Sequence, residues 1–321
     1  MIRSTEEGLA VSPQMDSKAV DLKDKILESG KVLSTIMMPV MANVHFDTFK
    51  ENLQAGDFES VYTSVVFNTI TSLCTDKVTT SVKAGTKVLR ARIIKDLDDI
   101  YGAKKGIHFE DEIIRGYDWY YSKEPAVGIS SDGRANSRYS SYFYCAADAP
   151  TAASEIKANI GDYISLASFI IKRDLKLVRF EIKDIFKGET VQACIQNLIA
   201  RNFSVPVSDT QEYRLTQFIS DEIRKHGVDG ICYKSHFTNH DNYVIFNCSM
   251  DTIKFTKSKI IRLHSQQLNF VDFSTDRMIS TKAIPNPNEN EIKREKHHIF
   301  DMMKSYEDER MTVNASKDER M

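Results

Sequence analysis

The stretch YFYCAADAPTAASE, residues 142–155, decides the fold of this chain. Its aromatic beginning favours a strand, which we expect over residues 139–146. The small residues that follow predict a turn and then a helix over residues 151–161, with Thr151 as its N-cap. Glu155 then lies in the first turn of that helix. A flat ligand can approach the backbone of such a small-residue turn closely.

A glycine-arginine turn, GRAN at residues 133–136, precedes that stretch, and further short elements surround it. The segment KVLRARII at residues 87–94 is rich in β-branched residues and follows Gly85, which indicates a strand. Residues 212–226 carry apolar side chains at helical spacing and end at Gly227, as an amphipathic helix does. Strands and helices both occur, and the fold class that the resemblance described below implies for them is α+β. The other predicted strands are residues 175–182, 230–233, 243–247, 253–255 and 260–263.

The chain divides into four predicted regions. Residues 1–15 are polar without a period and are expected to be disordered. Residues 16–83 carry apolar side chains at spacings of three and four, which predicts a small helical N-terminal region. Residues 84–282 hold the short strands and helices and form the predicted core domain. Residues 283–321 are a charged C-terminal extension.

Composition narrows the classes of function. A chain of 321 residues with 41% apolar and 27% charged residues can bury a substantial core. Its net charge of -2 gives no reason to expect nucleic acid as a partner. Five cysteines without a CxxC pair are typical of a reducing compartment. The chain starts without a secretory pattern, and its most apolar early segment, residues 32–44, is too short for a bilayer span, so we expect a cytoplasmic protein without membrane contact.

Glu155 is the candidate catalytic carboxylate. On its own, an acidic residue in the first turn of a helix most often only complements the helix dipole. Breaking a sugar C–N bond, however, places positive charge on the ribose. A fixed carboxylate about 4 Å away stabilises that charge by roughly 4 kcal/mol at an effective dielectric constant near 20, which is about a thousandfold in rate. One Glu beside a ring-stacking Tyr meets this demand without a general base.

Arginines at two places in the sequence are candidates for binding phosphate. Arg90 and Arg92 lie two residues apart, and therefore on one face of the predicted strand. Arg134 lies in the glycine-arginine turn. A guanidinium can bind phosphate with two parallel hydrogen bonds, but solvated strand and turn arginines remain the alternative. Ser235, at the exit of a predicted strand, is on its own most simply a turn residue.

Four pieces of the sequence resemble, in order, type and spacing, the RES family, which is named for its Arg, Glu and Ser. The resemblance covers about residues 84–250. It implies an ADP-ribosyltransferase-like split β-sheet core with flanking helices, here preceded by the small helical N-terminal region. The matching pieces are KVLRAR at residues 87–92, GRAN at residues 133–136, Tyr144 with Glu155 eleven positions later, and DGICYKS at residues 229–235.

The resemblance also implies an activity and assigns roles to residues. RES-type enzymes consume NAD⁺ as glycohydrolases or phosphorylases, or ADP-ribosylate a protein, and many are toxins held in check by a cognate antitoxin. Arg90, Tyr144 and Glu155 are then the catalytic residues. Arg90 and Arg134 hold the NAD⁺ phosphates, Tyr144 packs against the nicotinamide, and Glu155 polarises the ribose. Ser235 lines the pocket. NAD⁺ is thus a substrate and no metal is required.

Two departures from the family pattern leave the acceptor open among water, phosphate and a protein. Asn136 is followed by residues 137–139, Ser-Arg-Tyr, where the family often has Pro-x-Gly. His236 follows Ser235 where a second small polar residue is common. Both lie close to the expected pocket.

Three other interpretations of the sequence are alternatives to an NAD⁺-consuming enzyme. The spacing of Cys232, His236, His240 and Cys248 imitates a zinc site, but it lacks the CxxC knuckle, and thiols within apolar strands are ordinarily buried and free. An RNA-cleaving helical module at the N-terminus is disfavoured because no histidine follows an arginine at the required spacing. A non-catalytic interaction protein on the same scaffold remains a further alternative.

Overall fold

Short runs of β-branched and aromatic residues form the strands, because such side chains fit a pleated surface. The computed structural model of the chain describes residues 17–75, 79–95, 116–183, 190–205, 207, 212–265, 269–272, 277–280, 287–294, 297 and 301. Within these residues the strands are β1 (Thr80–Val82), β2 (Lys87–Ile93), β3 (Phe143–Ala146), β4 (Tyr163–Ile171), β5 (Leu175–Phe180), β6 (Gly230–Lys234), β7 (Asp241–Ile245), β8 (Ile253–Arg262), β9 (Asn269–Asp272) and β10 (Arg277–Ser280).

The main sheet is split in its middle. Eight strands are ordered β1-β5-β6-β7-β3-β2-β4-β8, while β9 and β10 pair separately. β5 and β6 are parallel, and the other neighbours are antiparallel. β2 pairs with β4 along its whole length, but it meets β3 at a single residue pair, Leu89 opposite Ala146. A five-stranded half and a three-stranded half therefore separate at this point.

Helices flank the sheet and precede it. The α+β class, the split sheet, the flanking helices and the helical N-terminal region are thereby confirmed. Within the described residues, no helix is both long and apolar enough to cross a membrane. The helices are α1 (Ser17–Ala55), α2 (Phe58–Thr63), α3 (Val65–Leu73), α4 (Trp119–Ser122), α5 (Ala149–Glu155), α6 (Val191–Ser204) and α7 (Tyr213–Lys225).

Alternation along the strands gives the main sheet two apolar faces. On one face Phe143 of β3 packs edge-to-face against Phe169 of β4, with ring centroids 4.9 Å apart. On the other face Leu89 and Ala91 of β2 pack with Ala152 of α5. Burial of these side chains fixes α5 over the place where β2 and β3 meet.

The described contacts divide the chain into two units. The first comprises residues 1–69 and 182–198, and the second comprises residues 70–181 and 199–321. α1 and α2 belong to the first unit, where α1 buries the side chain of Phe46. The main sheet, α5 and α7 belong to the second unit.

Several elements differ from the sequence-based predictions. β3 begins at Phe143 and not at Tyr139, whose side chain is 76% exposed. The predicted strands at residues 253–263 are one continuous strand, β8, and β4 and α6 were not predicted. Thr80–Val82, at the end of the range expected to be helical, is β1.

Two of the predicted regions cannot be compared with the structure. The predicted disordered region, residues 1–15, lies outside the described residues, as does most of the predicted extension, residues 283–321.

Candidate functional site

A cavity of about 300 Å³ lies beside the split of the sheet. This volume is at the lower end of the usual range for ligand pockets. All of its walls belong to the second unit. β2 and β3 contribute to it on either side of the split, together with α5, α7, β6 and β7. Its walls include Arg90, Arg134, Tyr144, Glu155, Tyr213 and Asn242.

Glu155 is the last residue of α5, so the prediction that it lies in the first turn of a helix is wrong. The predicted N-cap, Thr151, is wrong as well. Asp148 is the N-cap and accepts a hydrogen bond from the Thr151 backbone N–H at 2.8 Å. Pro150 fits the first helical turn, where its missing N–H costs nothing, and the helix therefore starts earlier. It ends early because Lys157 adopts a left-handed conformation with φ 54°.

Two donors hold the Glu155 carboxylate in one orientation. The Ser235 hydroxyl and the Asn242 amide each donate to Oε1 at 2.7 Å. In the described part of the chain, Oε2 makes no hydrogen bond. Ser235 is buried and does not line the cavity, so it contacts Glu155 from behind. The carboxylate thus has a fixed side and a side left for a ligand.

Arg90 bridges the split of the sheet. Its Nη1 donates to the Tyr144 carbonyl of β3 at 2.9 Å, and its guanidinium carbon lies 5.2 Å from the ring centroid of Phe143. Burial, and then the charge of Arg92, lowers the pKa of Arg90 to about 10, which leaves it cationic at neutral pH. Its Nε is buried and has no hydrogen-bond partner among the described residues. A cation at a cavity wall favours an anionic ligand.

Arg92 shares that face of β2 but does not line the cavity. Its Nη2 donates to the Lys123 carbonyl at 2.8 Å. Burial lowers its pKa, and the nearby Tyr117 and Glu124 side chains act in the opposite direction. Of the two strand arginines, Arg90 is therefore the one at the site.

Arg134 reaches the cavity from the glycine-arginine turn. Its Nη1 donates to the carbonyls of Asn202 at 2.9 Å and Val205 at 2.8 Å. The guanidinium carbon lies 5.7 Å from the ring centroid of Tyr213. α7 holds the turn in place, since the Thr216 hydroxyl donates to the Arg134 carbonyl at 2.6 Å.

Tyr144 ties β3 to the same turn. Its hydroxyl accepts from the Ala135 N–H at 3.0 Å and donates to Asn136 Oδ1 at 2.7 Å. Burial raises the pKa of Tyr144. A Cβ atom on Gly133 would lie 2.5 Å from Asn136 Oδ1 and 2.8 Å from the Tyr144 hydroxyl, so only glycine fits there. The Tyr144 hydroxyl is thus occupied within the protein, and its ring is what lines the cavity.

The structure brings Arg90, Arg134, Tyr144 and Glu155 to one cavity, with Ser235 behind Glu155. Asn242 was not among the predicted site residues, although the segment that it begins, residues 242–246, follows the serine segment in the family resemblance. Asn242 in β7 pairs with Ala146 in β3, and its side-chain amide points towards Glu155. Other wall residues that were not predicted include Lys157, Tyr213 and Phe237, which lie in none of the quoted motifs, and Tyr233, which lies within DGICYKS.

The candidate zinc residues do not form a site. Cys232 is buried within β6, and burial raises its pKa to about 12. His240 contacts Asp148. Across the described ranges, no cluster of three or more His, Cys, Asp or Glu side chains has an arrangement suited to a metal ion.

Comparison with known proteins agrees with this geometry. Residues 112–266 match the model of the RES domain. They include Arg134, Tyr144, Glu155 and Ser235, whereas Arg90 precedes the match on β2. No curated protein matches the chain.

A solved structure, the crystal structure of the M. tuberculosis MbcT–MbcA toxin–antitoxin complex, is similar at 10% sequence identity and a TM-score of 0.35. The similarity covers 61% of this chain and 92% of that chain. The family match and the site geometry lead to one conclusion: residues 112–266 of this chain are similar to the RES domain.

Proposed function

We propose that this protein binds NAD⁺ in the cavity beside the split and breaks the bond between nicotinamide and ribose, as an NAD⁺ glycohydrolase or phosphorylase. The observation that carries the proposal is the Glu155 carboxylate, which is held at Oε1 by Ser235 and Asn242 and, among the residues that the structure describes, has no partner at Oε2. From its RES domain, we propose the role of a toxin or defence effector with a cognate antitoxin.

The proposed reaction uses Glu155 electrostatically. As the C1′–N bond breaks, the bonding electron pair leaves with nicotinamide, which departs as a neutral base. Positive charge then appears on the ribose, and C1′ takes an electron pair from an oxygen of water or phosphate. The proton of an attacking water passes to solvent. A carboxylate already fixed by two hydrogen bonds stabilises this charge without reorganising.

Cations on both sides of the split suit the diphosphate. Arg90 and Arg134 both line the cavity, one from β2 and one from the turn held by α7. Arg90 stays cationic at neutral pH, because burial lowers its pKa only to about 10. The rings of Tyr144, Tyr213 and Phe237 add flat apolar walls for the nicotinamide.

Nicotinamide release from NAD⁺ by the purified protein, with and without phosphate, tests the proposal. We expect release by the wild type and a loss of roughly a thousandfold in Glu155→Gln, because the amide keeps the shape but not the charge. Glu51→Gln, on the exposed surface of α1, is the matched control and should keep full activity. Identifying the product as ADP-ribose or its phosphate ester separates hydrolysis from phosphorolysis. No release by the wild type, or equal release by Glu155→Gln, refutes the proposal.

One observation favours a second candidate, a mono-ADP-ribosyltransferase acting on a protein. Val127, Ile129 and Tyr139 are 68%, 80% and 76% exposed. The Gly128 N–H donates to the Arg138 carbonyl at 3.3 Å, which brings the backbone beside these residues together. Exposed apolar side chains suit contact with a protein acceptor. Labelled ADP-ribose on a protein, in place of free product, would identify this activity.

A further inference from the structure

The loop that joins β6 to β7 is fastened to the end of α5 that carries Glu155. Ser235 begins this loop, and its hydroxyl donates to Glu155 Oε1 at 2.7 Å. Asn242, just beyond the loop, donates to the same oxygen at 2.7 Å. Within the loop, the side chain of Phe237 lines the cavity. The position of this loop therefore determines how the carboxylate is held.

The same loop is fastened a second time, at the start of α5. The Thr238 hydroxyl lies 2.7 Å from the Thr151 hydroxyl. His240 Nδ1 forms a hydrogen bond with Asp148 Oδ2. The two carboxylate oxygens of Asp148 have different partners. Oδ1 caps the helix by accepting hydrogen bonds from Thr151, and Oδ2 contacts His240. The helix cap and the attachment of the loop therefore depend on different oxygen atoms of Asp148.

Between the two attachments the loop is a tight turn. The Ser235 N–H donates to the His240 carbonyl at 2.8 Å, and the Asn239 N–H donates to the Ser235 carbonyl at 3.0 Å. Asn239 adopts a left-handed conformation with φ 58°. A turn closed on itself in this way moves as one piece, so a displacement of His240 is passed on to Ser235.

We propose that Asp148 and His240 are positioning residues for Glu155. Their contact holds the loop against the start of α5, so that Ser235 stays bonded to Glu155 and Phe237 stays in the cavity wall. The inference rests on the proposed function for its kinetic readout. Support of this kind behind a reacting group is what keeps that group in its productive orientation.

Four variants separate this role from simple capping. Asp148→Ser keeps a capping oxygen but is too short to reach His240. His240→Ala removes the other partner. The double variant Asp148→Ser/His240→Ala completes a double-mutant cycle, which measures whether the two residues act together. His240→Asn restores an N–H donor near the place of Nδ1. The matched control is Asp57→Ser, because Asp57 caps α2 through the Ser60 N–H at 3.2 Å and lies in the first unit.

Three quantities should be measured for each variant: kcat and KM for nicotinamide release, the melting temperature, and hydrogen exchange of the amides in residues 235–240. We expect Asp148→Ser and His240→Ala each to lose about tenfold in kcat with KM within a factor of about two, and the double variant to lose no more than either of them. Exchange in the loop should rise while the melting temperature stays close to that of Asp57→Ser, and His240→Asn should recover most of kcat.

Several outcomes overturn the inference. Multiplicative losses in the double variant would show that the two residues act independently. Unchanged exchange in residues 235–240 would show that their contact does not hold the loop. If the wild type releases no nicotinamide, the proposed function fails, while the exchange measurement still decides whether Asp148 and His240 hold the loop.

Discussion

Gly133 lies where one added carbon atom would meet two groups that are hydrogen-bonded to each other. A Cβ there would be 2.5 Å from Asn136 Oδ1 and 2.8 Å from the Tyr144 hydroxyl. The Gly133–Asn136 turn also carries Arg134, so crowding here reaches the site. The small size of this residue is therefore a requirement of the turn and of the cavity together.

We expect Gly133→Ala to destabilise the fold by about 1–3 kcal/mol, as overpacking generally does, and to raise KM for NAD⁺ by displacing Arg134. Thermal unfolding and nicotinamide release would measure the two effects. Gly30→Ala is the control, since Gly30 lies within α1 with nothing within 4 Å of the added carbon. That change should stabilise slightly, because alanine is the better helix former. Equal behaviour of the two variants would contradict the steric argument.

Glu155 illustrates what the sequence could and could not supply at this scale. Its identity as the candidate carboxylate was predicted from its neighbours and the family resemblance, but its environment was not. At the C-terminal end of α5 the helix dipole opposes a negative charge, and the Ser235 and Asn242 hydrogen bonds offset that cost. Asn242 is 87 residues further along the chain, and no local pattern links two positions so far apart.

Asp241 joins three strands of the main sheet. Its carboxylate pairs with Arg179 of β5 through two contacts of 3.0 Å and with Lys234 of β6 at 2.9 Å. Burial by itself raises the pKa of Asp241, but the hydrogen bonds and charges of Arg179 and Lys234 outweigh it, and the pKa lies below its ordinary value. Strands β5, β6 and β7 are thus held together by side chains as well as by their backbone hydrogen bonds.

We expect Asp241→Asn to lose about 2 kcal/mol of stability at neutral pH, because it leaves two cations without their partner. A depressed carboxyl pKa contributes stability that is present above the unfolded-state pKa and is lost as the pH falls through the folded-state value. The wild type should therefore lose stability below about pH 4, and the variant should lose less over that range. Denaturant unfolding at several pH values measures both. Asp47→Asn, in an exposed pair with Lys50, should change little, and a similar loss there would contradict the prediction.

Elements with one exposed face were predicted well, and buried ones were not. α7 was found almost to the residue because its apolar side chains recur at helical spacing and Gly227 ends it. β4 was missed, since a strand covered on both faces is a continuous apolar run without alternation. The sequence pattern predicts two strands where the structure has the single strand β8. The pairing of β8 with β4 shifts register between Ser168 and Phe169. A search for strict two-residue alternation does not recognise a strand that contains such a shift as one continuous strand.

At the scale of the whole molecule, a ligand that contacts both halves of the sheet should stabilise the fold. The net charge of -2 provides no general attraction for an anion, so this stabilisation depends on the local cations. In the Glu155→Gln variant, which we expect to leave NAD⁺ intact, NAD⁺ at a hundred times its Kd should add about 2.7 kcal/mol to the free energy of unfolding. A melting curve with and without NAD⁺ measures it. Adding Arg134→Met should reduce the shift, and an unchanged shift would place the diphosphate elsewhere.

The single residue pair that joins β2 to β3 has a consequence for how the chain can be shortened. The cavity wall takes Arg90 from one half of the sheet and Asn242 from the other. The backbone that connects them also supplies β3, β4, β5 and β6, which with β2 and β7 are the six inner strands of the sheet. No fragment that starts after β2 or stops before β7 can hold the whole site. A shortened version of this protein that keeps the whole cavity wall must therefore begin upstream of the RES match itself, at or before residue 87.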